Sequence, residues 1–138
     1  MDDTLKQADG PIPDAATLSA LPDAEVLDCE PLLHRIGGDW ELLNEISDLF
    51  LEEAPRLVAE VRAALARNDT PTALQSAHRL KGAAGNLSAL RIAALAAQLE
   101  SLGRQGQWGE ALACCQALDG EIARLRPVLG ALVRKNAA

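Results

Sequence analysis

The chain has 138 residues and a formal net charge of −7, and 49% of its residues are hydrophobic although only 2% are aromatic. This length fits one ordinary domain with its own core, and the scarcity of aromatic residues requires that core to be aliphatic. The negative charge argues against binding to nucleic acid or to an anionic membrane. No apolar stretch is long enough for a membrane span, and no signal-like segment is visible at the start.

Cysteine and histidine are too few and too scattered for a disulfide framework or a metal centre. The three cysteines, Cys29, Cys114 and Cys115, form no CxxC pair, so we expect reduced structural thiols in a cytoplasmic protein. The two histidines are His34 and His78, and neither has a second ligand at metal-binding spacing. The sequence therefore predicts no metal site.

The start of the chain is predicted to be a tail, and a short helix follows it. Residues 1–22 combine three prolines with aspartates and small residues, which is typical of a flexible tail or linker. The remaining 23–135 are expected to form one domain. Asp28 is the expected N-cap of its first, short helix, and Gly37 with Gly38 is expected to end that helix.

Two long helices are predicted next. Asp39 is the expected N-cap of the first, Pro55 is expected to kink it, and Thr70 before a proline is the expected cap of the second, which ends near Leu87. Apolar residues at three- and four-residue steps predict the first long helix. These residues are Leu42, Leu43, Ile46, Leu49, Phe50, Leu57, Val58, Val61 and Leu65.

Two more helices complete the predicted fold. Ser88 is the expected cap of the first, which Gly103 and Gly106 are expected to terminate. The last helix begins near Trp108, and Pro127 should kink or divide it. Because the connections are short, successive helices should be antiparallel neighbours. The predicted fold is all-α: an up-down-up-down antiparallel four-helix bundle with a short additional N-terminal helix.

Residues 77–88, AHRLKGAAGNLS, carry an unusual combination within one helix. Positions i, i+3, i+4 and i+7 share a helix face, and here they are His78, Lys81, Gly82 and Gly85. Each glycine costs a helix interior about 1 kcal/mol relative to alanine. The spacing alone is also compatible with an ordinary surface histidine and with glycines that serve close helix packing. An imidazole, a nearby cation and glycine positions without side chains occur together here. This combination favours a reactive histidine that a phosphate-bearing partner can approach closely.

This stretch resembles the core of histidine-containing phosphotransfer (HPt) domains, in which a histidine is followed by xxKG. Residues 37–42 are similar to the start of the family's second helix, and residues 50–55 match its FxEExP-like run. Leu99 and Glu100 match a frequent pair in a later helix. The resemblance covers roughly residues 28–130, and it implies a four-helix bundle with a phosphorylatable histidine midway along one helix.

The resemblance implies a phosphocarrier that relays phosphoryl groups between aspartates of receiver domains in a multistep two-component phosphorelay. His78 would be the phosphoacceptor, and Lys81 would stabilise the phosphoryl charge. The glycines of the motif would let the receiver dock, and the further candidate docking contacts are Arg79, Asn86, Glu100 and Arg104. The chain has neither a nucleotide-binding loop nor an acidic metal cluster near the histidine. We therefore expect no cofactor of its own, with Mg²⁺ and most catalytic groups supplied by the partner.

The expected partners are response-regulator receiver domains and a hybrid sensor kinase. Neither nucleic acid binding nor direct membrane insertion is expected, and the protein is expected to be a cytoplasmic monomer. Two alternatives remain open. In the first, the chain is an excised C-terminal HPt domain of a membrane-bound hybrid kinase. In the second, it is an interaction module that binds a receiver without carrying phosphate.

Overall fold

The computed structural model describes residues 27–137, which form five α-helices and no strand. In chain order they are α1 (Cys29–Ile36), α2 (Trp40–Ala66), α3 (Thr70–Asn86), α4 (Leu90–Arg104) and α5 (Trp108–Ala137). The predicted all-helical class is confirmed for this part of the chain. The predicted tail, residues 1–22, lies outside the described residues, as does the start of the predicted domain.

The four long helices form a closed ring. Helix α3 packs against α2 and α4, and α5 packs against the same two helices. Helices α2 and α3 are antiparallel. Ser76 of α3 donates a hydrogen bond to Glu60 of α2, whereas Arg79, later in α3, donates to Glu53, earlier in α2. The short helix α1 contacts α2. Just before α1, the backbone N–H of Asp28 donates to the carbonyl of Ser88, beyond the end of α3.

The core is aliphatic, as the composition predicts. Burying one such side chain completely contributes about 1.5–3 kcal/mol relative to leaving it exposed. The largest fully buried side chains are Leu27, Leu32, Leu43, Leu57, Val58, Leu80, Ile92, Leu95, Leu118, Leu125 and Leu129. Helix α3 adds small residues to this core, with Ala73, Ala77 and Ala84 buried. The opposite face of α3 is thereby turned outward.

Two predicted helix boundaries are confirmed. Gly37 ends α1 in the left-handed conformation, with φ of 59°, which glycine adopts without the steric cost that a Cβ brings. Asp39 caps α2, and its side chain accepts a hydrogen bond of 3.0 Å from the backbone N–H of Leu42. Asp28 does occupy the N-cap position of α1, but its side chain makes no capping hydrogen bond.

The cap of α3 is Asp69, not Thr70 as predicted. The Asp69 side chain accepts from the backbone N–H of Thr72, and Thr70 is already the first helical residue. A carboxylate at this position also interacts favourably with the positive end of the helix dipole. The hydrogen bonds with Thr72 lower the pKa of Asp69. The following Pro71 fits in the first turn because a backbone N–H there needs no helical partner.

The predicted cap at Ser88 is wrong. Ser88 adopts a left-handed conformation with φ of 60° in the turn between α3 and α4. Ala89 occupies the N-cap position of α4 and makes no side-chain cap. Gly103 does not end α4 either, since it lies inside the helix, where an added Cβ would be 2.9 Å from Cδ2 of Leu74. Gly106, with φ of 73°, lies in the turn that follows.

Neither internal proline divides its helix. Pro55 lies within α2 and Pro127 within α5, and both helices are continuous. A proline removes one backbone donor from the helix, and packing along the rest of these long helices outweighs that loss.

Candidate functional site

The exposed face of α3 carries His78 near its middle. The side chain of His78 is 67% exposed, whereas Leu80, on the opposite side of the helix, is fully buried. Because the buried face holds α3 in the bundle, the imidazole is free for contact with another molecule.

Gly82 and Gly85 continue this face towards the end of α3. A Cβ built at either glycine meets nothing within 4 Å, and neither glycine has a positive φ. Close helix packing, an alternative that the sequence left open, is therefore excluded at both positions. It applies instead at Gly103, where α3 and α4 approach closely. The surface beside His78 is thus open for a reason other than folding.

The carboxylate of Glu100, on α4, joins three side chains at this site. His78 Nδ1 lies 3.3 Å from Glu100 Oε2, and Lys81 Nζ lies 3.1 Å from Oε1. Arg104 Nη2 lies 2.9 Å from Oε2. The sequence predicts an exposed docking contact for Glu100, but its side chain is only 9% exposed. Its position between α3 and α4 follows from the close approach of the two helices one turn away, at Gly103.

Of the two ring nitrogens of His78, Nδ1 is the one that faces Glu100, 3.3 Å from Oε2. A carboxylate offers only acceptor oxygens, so a neutral ring that donates across this contact carries its proton on Nδ1 and its lone pair on Nε2.

The cations around His78 are held in ion pairs. Lys81 and Arg104 share Glu100, and Arg79 lies 3.5 Å from Glu53 on α2. The ion pair of Arg79 with Glu53 is exposed on both sides, and an exposed pair contributes about 0–1 kcal/mol, so Arg79 can turn towards another molecule at little cost. Lys81 and Arg104 pair with the buried carboxylate of Glu100, which holds them more firmly.

Asn86 lies at the C-terminal end of α3, where α1 secures the helix. Arg35 of α1 donates to the carbonyls of Gly85, at 3.2 Å, and of Asn86. These carbonyls lie in the last helical turn, where intrahelical donors are missing. The predicted docking residue Asn86 is therefore exposed at a helix end that a long-range contact stabilises.

An exposed apolar surface lies on α2, beside the face of His78. Leu49 is 66% exposed, and Leu42 on the same helix is also exposed. Both belong to the apolar spacing that predicts this helix, and both lie outside its buried face. Leu49 lies one turn before Glu53, which contacts Arg79 on α3. Exposed apolar patches on a protein surface often mark sites of protein binding.

The cysteines do not supply a competing nucleophile. Burial raises the pKa of Cys114 to about 12 and that of Cys115 to about 11. Both thiols are therefore neutral near pH 7, and the thiolate is the reactive form. None of the three cysteines, all within the described residues, forms a disulfide. In residues 27–137 no group of His, Cys, Asp and Glu side chains could hold a metal ion.

The fold and the site define a helical bundle that presents a histidine beside ion-paired cations and an open surface. The model of the Hpt domain family matches residues 45–127, a range that includes all of α3 and α4. The chain belongs to the Hpt domain family. Hpt domains take part in histidine phosphotransfer in phosphorelays, interact with receiver domains of response regulators or hybrid kinases, and are phosphocarriers.

The other comparisons give no relative. No curated protein and no solved structure matches the chain. None of the described helices is long and apolar enough to cross a membrane.

Proposed function

We propose that this chain carries a phosphoryl group on Nε2 of His78 and shuttles it between aspartates of receiver domains. Family membership supports the class of reaction. The observation that carries the assignment to His78 is the exposed imidazole beside two helical glycines that packing does not require. The opposite order of the contacts between α2 and α3 supports the up-down-up-down arrangement that the short connections predict.

The reaction is a reversible displacement at phosphorus. The lone pair of Nε2 attacks the phosphorus of a receiver's aspartyl phosphate, the phosphorus–oxygen bond breaks, and its electron pair leaves with the aspartate. Transfer to a second receiver reverses these changes with a new aspartate as the nucleophile. Phosphoryl transfer depends mainly on positioning and on charge neutralisation. We assign Mg²⁺ and the remaining catalytic groups to the receiver.

Lys81 supplies the counter-charge on this chain. Its ammonium already lies 3.1 Å from Glu100 and one helical turn from His78. A phosphoryl group with nearly two negative charges is a stronger attraction than one shared carboxylate. Lys81 would therefore move from Glu100 towards the phosphoryl group.

Docking uses the open side of α3 and the adjacent surface of α2. Gly82 and Gly85 let the receiver approach the backbone, and Leu49 supplies apolar area. Arg79 and Asn86 lie at the edge of this surface. The surface must be uncovered for transfer, so we propose that the protein acts as a monomer. We also propose that it acts in the cytoplasm.

Transfer of label from a phosphorylated receiver tests the proposal. Wild-type protein, incubated with the receiver and Mg²⁺, should gain acid-labile, base-stable label, and His78→Gln should gain none. His34→Gln is the matched control, because His34 is the chain's other histidine and is exposed on α1; it should accept label normally. Equal labelling of His78→Gln would refute the site. Receiver binding by wild type without any label would favour the interaction module instead.

The role of Lys81 is tested separately. Lys81→Ala should still accept label, but the loss of one charge-assisted contact, about 1.4 kcal/mol, should slow transfer about tenfold. Arg62→Ala is the control, since Arg62 pairs with Asp119 on α5. An unchanged rate and phosphohistidine lifetime in Lys81→Ala would remove Lys81 from the mechanism.

A further inference from the structure

The negative charge of this chain is concentrated at its start. Residues 1–26, which precede the described part of the chain, carry six acidic side chains and one lysine, so they account for −5 of the net charge of −7. The acidic residues are Asp2, Asp3, Asp9, Asp14, Asp23 and Glu25. The rest of the chain is therefore close to neutral, and residues 1–26 form a distinct acidic segment.

The outer face of α3 has the opposite electrostatic character. Of the five described helices, α3 is the only one that contains no acidic residue, and it carries Arg79 and Lys81. Two further cations reach this face from neighbouring helices. Arg35 of α1 contacts the carbonyl of Gly85, and Arg104 of α4 lies 2.9 Å from the carboxylate that Lys81 also contacts.

The carboxylates nearby restrict this positive charge to α3. Glu53 and Glu100 pair with the cations of the face but are fewer than those cations. On α2, the exposed side chains of Glu45 and Glu52 lie one turn before and one turn after Leu49. An acidic segment is therefore repelled by that part of α2 and attracted to α3.

The acidic segment joins the fold next to this face. Leu27 is fully buried, and the backbone N–H of Asp28 donates to the carbonyl of Ser88 at 2.9 Å, directly beyond the end of α3. From that end of α3, His78 is about 12 Å away along the helix axis. Twenty-six extended residues reach up to about 85 Å. The segment is long enough to follow the whole outer face of α3 from its point of attachment.

We propose that residues 1–26 lie across the outer face of α3 and compete with the receiver for this surface. The carboxylates of the segment contact the cations of the face, and the receiver docks only when the segment leaves. Because the segment is part of the same chain, its effective concentration is about 1 mM. A contact that is weak between separate molecules therefore covers the face for much of the time. The effect on transfer rests on the proposed function of His78, whereas the contact itself does not.

Paramagnetic broadening of amide NMR signals tests the contact in the full chain. A nitroxide is attached through Gly10→Cys, which keeps every charge of the segment. Cys29→Ser removes the half-buried thiol, and the other two cysteines are buried. The amide signals of Gly82 and Gly85 should be broadened. Gly120, an exposed glycine on α5, should be affected far less, because α3 packs against α2 and α4.

A neutral-segment variant separates attraction from mere proximity to the attachment point. It replaces the five aspartates of residues 1–26 by asparagine and Glu25 by glutamine, at unchanged length. Broadening of Gly82 should fall strongly in this variant. It should also fall in the charged chain at high salt, because salt screens exposed charges.

Transfer from a phosphorylated receiver tests the competition. If the segment covers the face nine-tenths of the time, the neutral-segment variant should show a KM for the receiver about tenfold lower than wild type. A synthetic peptide of residues 1–26, added to this variant at about 1 mM, should raise its KM again. The matched control is the same peptide with its six acidic residues replaced by amides, which should have no effect.

The outcomes separate the two proposals. Failure of wild-type His78 to gain label would overturn the proposed function, and broadening would still decide whether the contact exists. Equal broadening of Gly82 in the charged and neutral chains, or an unchanged KM in a neutral-segment variant that transfers phosphate, would overturn the inference alone. In a mixture of spin-labelled chain with a ¹⁵N-labelled chain that carries no nitroxide, equally strong broadening would assign the contact to a second copy and overturn the intramolecular competition.

Discussion

Replacing Gly82 by alanine should stabilise the free protein and slow phosphoryl transfer. Gly82 lies inside α3, and an added Cβ meets nothing within 4 Å. Alanine is therefore expected to give its full advantage over glycine in a helix interior, about 1 kcal/mol. For a domain of this size that gain raises Tm by about 4 °C. The same methyl group would stand on the surface that the receiver must approach.

Gly120→Ala separates the two effects. Gly120 is also an exposed helical glycine with nothing within 4 Å of an added Cβ, but it lies on α5. Both alanine variants should gain similar stability in urea and thermal unfolding. Only the variant at Gly82 should slow transfer from a phosphorylated receiver. Gly82→Leu should slow it further, by about 5- to 150-fold if the larger side chain costs the docked complex about 1–3 kcal/mol.

Three results would refute this reasoning. A folded Gly82→Leu protein with wild-type transfer rates would show that the open surface at Gly82 is not used by the receiver. A loss of stability in Gly82→Ala would show that the position is constrained in the free protein after all. Equal slowing in Gly120→Ala would attribute the effect to stability rather than access.

Three other substitutions test the fold by urea unfolding. Ser88→Gly should raise the free energy of unfolding by about 1 kcal/mol, because the left-handed conformation strains a residue with a Cβ; no gain would refute that strain. Gly103→Ala should be about 1–2 kcal/mol less stable than the α5 control, because its Cβ would meet Leu74; truncating Leu74 to alanine should remove the difference. Hydrogen bonds with Thr72 lower the pKa of Asp69 in the folded protein. Ionised Asp69 therefore stabilises the fold at pH values above its pKa in the unfolded chain, and this stabilisation is lost as the pH falls through the lowered pKa of the folded protein. The advantage of wild type over Asp69→Asn should therefore disappear in strong acid, and its persistence there would contradict this account.

The sequence predicts helix ends well where a local cause decides them. Gly37 and Asp39 act through the backbone conformation and the first helical turn, so their neighbours in sequence are sufficient for the prediction. Ser88 shows the limit of this approach. A serine before a helix resembles an N-cap, but here its carbonyl accepts from Asp28, far away in sequence. The turn also closes locally, since the backbone N–H groups of Ser88 and Ala89 donate to the carbonyls of Gly85 and Ala84. Ser88 therefore ends α3 in the left-handed conformation and does not cap α4.

The apolar periodicity of α2 overstates what the bundle buries. Leu42 and Leu49 recur at the spacing of core residues, yet they are exposed because α3 and α5 cover only part of the helix surface. Periodicity identifies a face but does not determine its width. The exposed leucines are informative, since they place apolar area next to the face of His78.

The candidate site also has one part that the sequence predicts and one part that it does not. Helix geometry alone identifies the residues that share a face with His78, because they all lie on α3. The position of Glu100 depends on the register between α3 and α4. That register follows from the close approach of Gly103 to Leu74, a contact between helices that spacing along one helix does not reveal. Spacing therefore predicts only a docking contact for Glu100, and the structure places its buried carboxylate 3.3 Å from the ring of His78.

Folding and docking place different demands on α3, and the helix meets them on opposite faces. Two glycines on the outer face cost about 2 kcal/mol of helix stability relative to alanine. The inner face offsets this cost by burying Leu80 and several alanines against the other helices, and Arg35 secures the C-terminal carbonyls. Because stability comes from the inner face, the outer face is free to remain bare. Substitutions there should change transfer far more than folding, whereas substitutions of the buried leucine should do the reverse.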